Sequence, residues 1–154
     1  MANEILKTNL DPACICLNLE SDTSDDAIRE LIELLRAKYK FRSTDEVLGV
    51  MLAREQKMST TLENGVAVPR AKTDLVDRTM IAVGIRRSGI DFKSADGRPA
   101  KIIVSVLSPL SKTGAHVRCL AEITRLLHSE VNRNKIIEAK DAGTIYRIMS
   151  ESGV

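Results

Sequence analysis

The chain is predicted to be a single α/β domain in which a mixed β-sheet is sandwiched between helical layers. Three observations predict this. Helical and strand-like segments alternate along all 154 residues. Two continuous apolar runs rich in β-branched residues, 79–85 and 101–107, suit interior strands covered on both faces. The segments around them carry one apolar stripe each at helical spacing. A chain of this length fits one domain, 1–154, that buries about two thirds of its unfolded surface. No linker, internal repeat or low-complexity tract divides it.

In chain order, residues 13–19 alternate weakly and read as a first strand, which would place Cys14 and Cys16 on one face. The run Ser21-Asp22-Thr23-Ser24-Asp25-Asp26 is rich in capping side chains and starts a helix over 25–39, with Ile28, Leu31, Ile32, Leu35 and Tyr39 as its apolar stripe. Ser43-Thr44-Asp45-Glu46 matches a capping box, in which Ser43 accepts from an early amide and Glu46 returns the bond. The helix that follows buries Val47, Leu48, Met51 and Leu52 and runs to about Lys57. Val66, Ala67 and Val68 form a brief buried strand closed by Pro69, which has no amide hydrogen for a ladder, so Arg70 is expected at a strand end. Between the two long strands Asp96-Gly97 marks a turn. Residues 108–114 should be a surface loop opening a helix over 115–128, with His116, Cys119, Leu120, Ile123 and Leu127 on one side. Two short helices, 130–140 and 142–150, complete the chain through Ile136, Ile137, Ile145, Ile148 and Met149.

Composition narrows the function. Basic and acidic residues number 23 and 21 and are well mixed, giving a formal charge of +2, so neither nucleic acid nor an anionic membrane is implied as a partner. With two Tyr, two Phe and no Trp, there is no stacking platform for bases. No apolar stretch approaches about 18 residues and no signal-peptide pattern opens the chain, so a cytoplasmic protein without membrane insertion is expected. Three cysteines leave one unpaired in any disulfide scheme, which reads as a reducing compartment and as small buried hydrophobes. Cys14, Cys16, Cys119 and His116 are the nearest thing to a metal set; no further ligands complete recognisable pairs, so no metal and no cofactor are expected.

The motifs Arg54-Glu55, then Ser59-Thr60, then Gly65-Val66-Ala67-Val68-Pro69, then the helix-opening His116 occur in one order over the chain. In that order they resemble the enzyme IIA domain of the fructose/mannitol class of the bacterial sugar phosphotransferase system, nearest to its nitrogen-regulatory proteins. The resemblance covers roughly residues 5–150 and implies the fructose/mannitol-type enzyme IIA fold. It also implies that the residue after the proline is a histidine accepting phosphate from the carrier HPr. This sequence has Arg70 there. Arginine keeps its charge and has no lone pair for attack on phosphorus, so it can hold an anion but not carry one covalently.

The resemblance further implies that His116 and Arg54 surround that position, and it places Thr60 and Asn64 where either could donate to a phosphate oxygen. His116 would lie in the first helical turn, where the dipole favours anions. Read without the resemblance, His116 packs at a helix start, Arg54 pairs with a carboxylate, and Thr60 and Asn64 satisfy their own backbone. His128 reads as a cation at a helix end, and Arg86-Arg87 as a solvated strand end or the rim of a partner surface.

Three functions stay open. One is a degenerate regulatory module that docks to a protein partner, such as an HPr-like carrier, a kinase, a transporter or a regulator, without carrying phosphate. Another is a reversible sensor of a phosphate-containing small ligand held by Arg54, Thr60, Asn64, Arg70 and His116. The third is a phosphocarrier that uses His116 as acceptor.

Overall fold

A computed structural model describes residues 3–57 and 61–151, without the side chains of 61 and 62. A six-stranded mixed sheet separates two helical layers. The order along the sheet is β1 (Leu10–Cys16), β5 (Met80–Ile90), β6 (Ala100–Ser108), β3 (Val66–Ala67) and β2 (Thr61–Leu62), with β4 (Arg70–Lys72) also paired to β6. β5 and β6 run antiparallel at the centre, whereas β1 is parallel to β5, and β3 and β4 are parallel to β6.

Alternation along the central strands builds two cores. Met80, Ala82, Ile103 and Leu107 face one side, where α2 (Ser24–Tyr39) and α3 (Thr44–Lys57) bury Ile28, Leu31, Leu35, Val47 and Met51. Ile81, Val83, Ile85, Ile102, Val104 and Val106 face the other. There α1 (Glu4–Asn9), α4 (Thr113–His128), α5 (Glu130–Glu138) and α6 (Ala142–Glu151) cover them. This is the expected fold class, with the two apolar runs at the middle of the sheet.

Local signals behave unevenly. Thr23 caps α2 by accepting from the Asp26 amide, and the turn at Asp96-Gly97 closes with the Gly97 amide on the Ser94 carbonyl. Only half of the capping box at Ser43 forms: Ser43 Oγ accepts from the Glu46 amide, while the Glu46 carboxylate is taken by Arg42. The first strand runs 10–16 rather than 13–19, and the ladder to β5 shifts register between Leu10 and Ile15, across the segment that holds Pro12. α1 was not anticipated, because its cap comes from far along the chain. Glu122 on α4 accepts from the Ile5 and Leu6 amides at 3.1 and 3.0 Å.

Arg86 and Arg87 are not a solvated strand end. They lie within β5, where Arg86 donates to the Leu19 and Ser21 carbonyls and pairs with Asp22. Arg87 ties the Leu17 carbonyl and Asn18 to the Ala139 carbonyl. The three cysteines are free thiols, and the sheet separates Cys14 and Cys16 from Cys119. Burial pushes Cys14 up to about 11 and Cys119 up to about 12, so both stay protonated. No group of metal-binding side chains forms among the described residues, and no described helix is long and apolar enough to cross a membrane.

Candidate functional site

The site is built on an interrupted strand. β3 pairs Val66 and Ala67 with Ile102 and Ile103, and β4 pairs Arg70, Ala71 and Lys72 with Val106, Leu107 and Ser108, so the register is continuous across the gap. Pro69 explains the gap: it offers no N–H, yet its carbonyl still accepts from the Val106 amide at 3.0 Å. Arg70 does stand at a strand end, as the first residue of β4, but the ladder that Pro69 interrupts resumes there. Arg70 restarts the ladder on the sheet edge, and alternation puts Arg70 and Lys72 on one face while Ala71 enters the α2–α3 core.

At that edge the two helical layers face a common cavity of about 600 Å³. α3 contributes Arg54 and Lys57 to its wall, β4 contributes Arg70 and Lys72, and α4 contributes His116. Leu110, in the short 3₁₀ turn Leu110–Lys112 ahead of α4, lines the mouth and is 55% exposed. Val117, beside His116, is 58% exposed. The segment 108–114 is thus more structured than the expected loop, and α4 starts two residues earlier than expected.

His116, one of the residues lining this cavity, is buried in a chain of three polar groups. Its Nδ1 lies 2.9 Å from Ser108 Oγ, which lies 3.3 Å from Thr79 Oγ1; Ser108 and Thr79 are buried as well. With Nδ1 engaged, Nε2 is the ring nitrogen left for a ligand. Burial holds the His116 pKa below its ordinary value, and Lys72, Arg70 and Arg54 push in the same direction. A neutral imidazole is therefore surrounded by cations. Arg70 is half-buried, and its own pKa is lowered by burial and then by Arg54, against an opposing pull from Glu55. Its guanidinium has no hydrogen bond or ion pair to any other described residue. Lys72 donates to Thr113 Oγ1 at 3.4 Å.

The structure thus brings Arg54, Arg70 and His116 together and adds Lys57 and Lys72. Asn64 is placed elsewhere. It sits in a tight turn with φ 68°, its amide donates to Asp96 and its side-chain oxygen accepts from Arg98; it lines a separate cavity with Arg133. Asp96, held down to about 2 by donors from Ser94, Asn64 and Arg98, fixes that turn. Thr60 lies outside the described residues. Ser108, Lys57 and Lys72 were not singled out from the sequence. Lys72 was legible in principle, because it stands two residues after Arg70 and strand alternation puts such a pair on one face. Ser108 was not, since only the fold sets it against a helix eight residues away.

Four cationic side chains, Arg54, Lys57, Arg70 and Lys72, beside a neutral imidazole, with no described acidic residue lining the cavity, are suited to holding a multiply charged oxyanion. Comparison with known proteins identifies the family. The sequence profile of the family described as "Phosphoenolpyruvate-dependent sugar phosphotransferase system, EIIA 2" matches residues 8–152. The chain is 31% identical over 129 residues to the fructose-specific EIIA component of Haloferax volcanii, covering 84% of each protein. To the fructose-specific EIIABC component of Bacillus subtilis strain 168 it is 30% identical over 137 residues, 89% of this chain but 22% of that protein. The crystal structure of the nitrogen regulatory protein IIA-Ntr from Neisseria meningitidis superposes with a TM-score of 0.88 at 25% identity, covering 95% of this chain and 99% of that one. With that profile spanning nearly its whole length, the chain belongs to the EIIA type-2 family of the phosphoenolpyruvate-dependent sugar phosphotransferase system.

Proposed function

We propose that this domain is a regulatory EIIA module that docks to a protein partner and holds an anion at Arg70 without carrying a phosphoryl group there. The observation that carries the reading is Arg70 itself. It stands after Gly65-Val66-Ala67-Val68-Pro69 on the sheet edge, half-buried, unpaired among the described residues and beside Arg54 and His116. A guanidinium at that position fixes a positive charge where a phosphohistidine would place a negative one, so a partner that reads charge meets a constant surface. Leu110, which lines the cavity, and Val117, next to His116 in sequence, are two of the large exposed apolar side chains and supply desolvation area for such a partner. An HPr-like carrier, a kinase, a transporter or a regulator fits this reading.

Amide shifts of the labelled domain on addition of unphosphorylated HPr test the docking half. Shifts gathered on residues 70–72 and 110–121 support it, and an unchanged spectrum at millimolar HPr removes the carrier as partner. A second reading, favoured by the clustered cations, is a reversible sensor of a small phosphorylated ligand. A phosphocarrier using His116 Nε2 ranks third. Its ring is buried and tied to Ser108, so a donor would have to reach a nearly inaccessible nitrogen.

A further inference from the structure

A second cavity, of about 570 Å³, opens on the other side of Arg70. Arg70 and Leu120 line both cavities, and the second adds Ala121, Thr124, Arg125 and His128 from α4. None of its lining residues is acidic. Arg125 is anchored there, because its Nη2 donates to Asn3 Oδ1 at 3.1 Å while the Asn3 amide group donates to the Met149 carbonyl. Because they share Arg70 and Leu120, the two cavities adjoin along α4 as two lobes of one groove whose lining holds no acidic residue. His128, at the last residue of α4, lines the far end of that groove.

We infer that this groove takes one ligand bearing two separate phosphate groups, one between Arg54, Arg70 and His116 and the other between Arg70, Arg125 and His128. The inference rests on the anion-holding role of Arg70 and extends it by naming the ligand class. Lobe one touches α4 at His116 and Leu120, and lobe two from Leu120 to His128. At about 1.5 Å rise per residue their centres lie about 9 Å apart along the helix. A diphosphate, whose phosphorus atoms share one bridging oxygen, is too short to fill both. A sugar chain esterified at its two ends spans them, and its carbon skeleton would lie on Leu120 and Ala121. The unpaired Arg70 guanidinium, with donors on more than one edge, can serve both groups at once.

Calorimetric titration with inorganic phosphate, pyrophosphate and fructose 1,6-bisphosphate tests this. The bisphosphate should bind about tenfold or more tighter than phosphate, and pyrophosphate should show no comparable gain. In Arg125→Gln and in His128→Gln the ratio of bisphosphate to phosphate affinity should fall toward one; His128 is exposed, so its replacement leaves the core untouched. Phosphate binding with no gain for the bisphosphate overturns the two-lobed groove alone. Failure of all three anions to bind overturns the anion reading of Arg70 together with it. A ratio unmoved by either variant also overturns the second lobe.

Discussion

Replacing Ser108 by alanine should loosen the site from beneath. The Ser108 hydroxyl is the link between His116 Nδ1 at 2.9 Å and Thr79 Oγ1 at 3.3 Å, and all three residues are buried. Its removal leaves two buried polar groups without that partner, each costing about 1–3 kcal/mol. Alanine itself fits the space, so no clash adds to the cost, and the lost hydroxyl no longer needs desolvation. A net loss of about 2–4 kcal/mol is expected, or about 4–16 °C in Tm for a domain of this size. Urea denaturation of wild type and Ser108→Ala, with the slope unchanged, measures it. Thr79→Val in the same background removes one orphan and should recover about 1 kcal/mol. A Ser108→Ala protein within about 0.5 kcal/mol of wild type, or a double variant weaker than the single one, would refute the three-group chain.

Other outcomes follow from the same geometry. Arg70→Met should stabilise the fold by about 0.5–2 kcal/mol, because it removes a half-buried unpaired charge, while weakening phosphate binding; thermal melts with and without phosphate read both effects. Arg70→Gln should raise the His116 pKa by removing one of the cations that depress it, and bound phosphate should raise it further, as followed by NMR titration of the ring. Because His116 titrates lower in the folded state, the unfolded chain takes up its proton first as the pH falls. Its contribution is constant above the ordinary histidine range near about 6.5 and declines below it, so His116→Gln should flatten the stability profile between about pH 5 and 7. Gly89→Ala should cost about 1–3 kcal/mol, since Gly89 has φ +83° and a Cβ there would stand 2.6 Å from Pro99 Cβ; a neutral result in denaturation would contradict the packing.

Much of the fold was legible in the sequence because its central elements are encoded locally. The runs 79–85 and 101–107 are apolar without interruption and became β5 and β6, and the stripe from Ile28 to Leu35 became the buried face of α2. What sequence did not show was encoded across distance. α1 depends on the Glu122 carboxylate, over a hundred residues away, and β4 is three residues long and held by β6. The site divides in the same way. Arg54, Arg70 and His116 were found through their motifs, and the fold brings them together. Asn64 sits near Arg70 in sequence but is drawn off by Asp96 and Arg98. Ser108 meets His116 only through the packing of α4 on the sheet, whereas Leu120, Thr124 and His128 follow His116 at four-residue spacing and share a helix face that the sequence could have shown.

On the proposed function, Arg70 holds an anion and leaves this EIIA module unable to carry a phosphoryl group. Incubation with phosphoenolpyruvate, enzyme I and HPr, followed by intact-mass measurement under alkaline conditions, tests it most directly when wild type and Arg70→His are run together. No phosphoryl adduct on the wild type and one on Arg70→His is the predicted result. A stoichiometric adduct on the wild-type chain would contradict it.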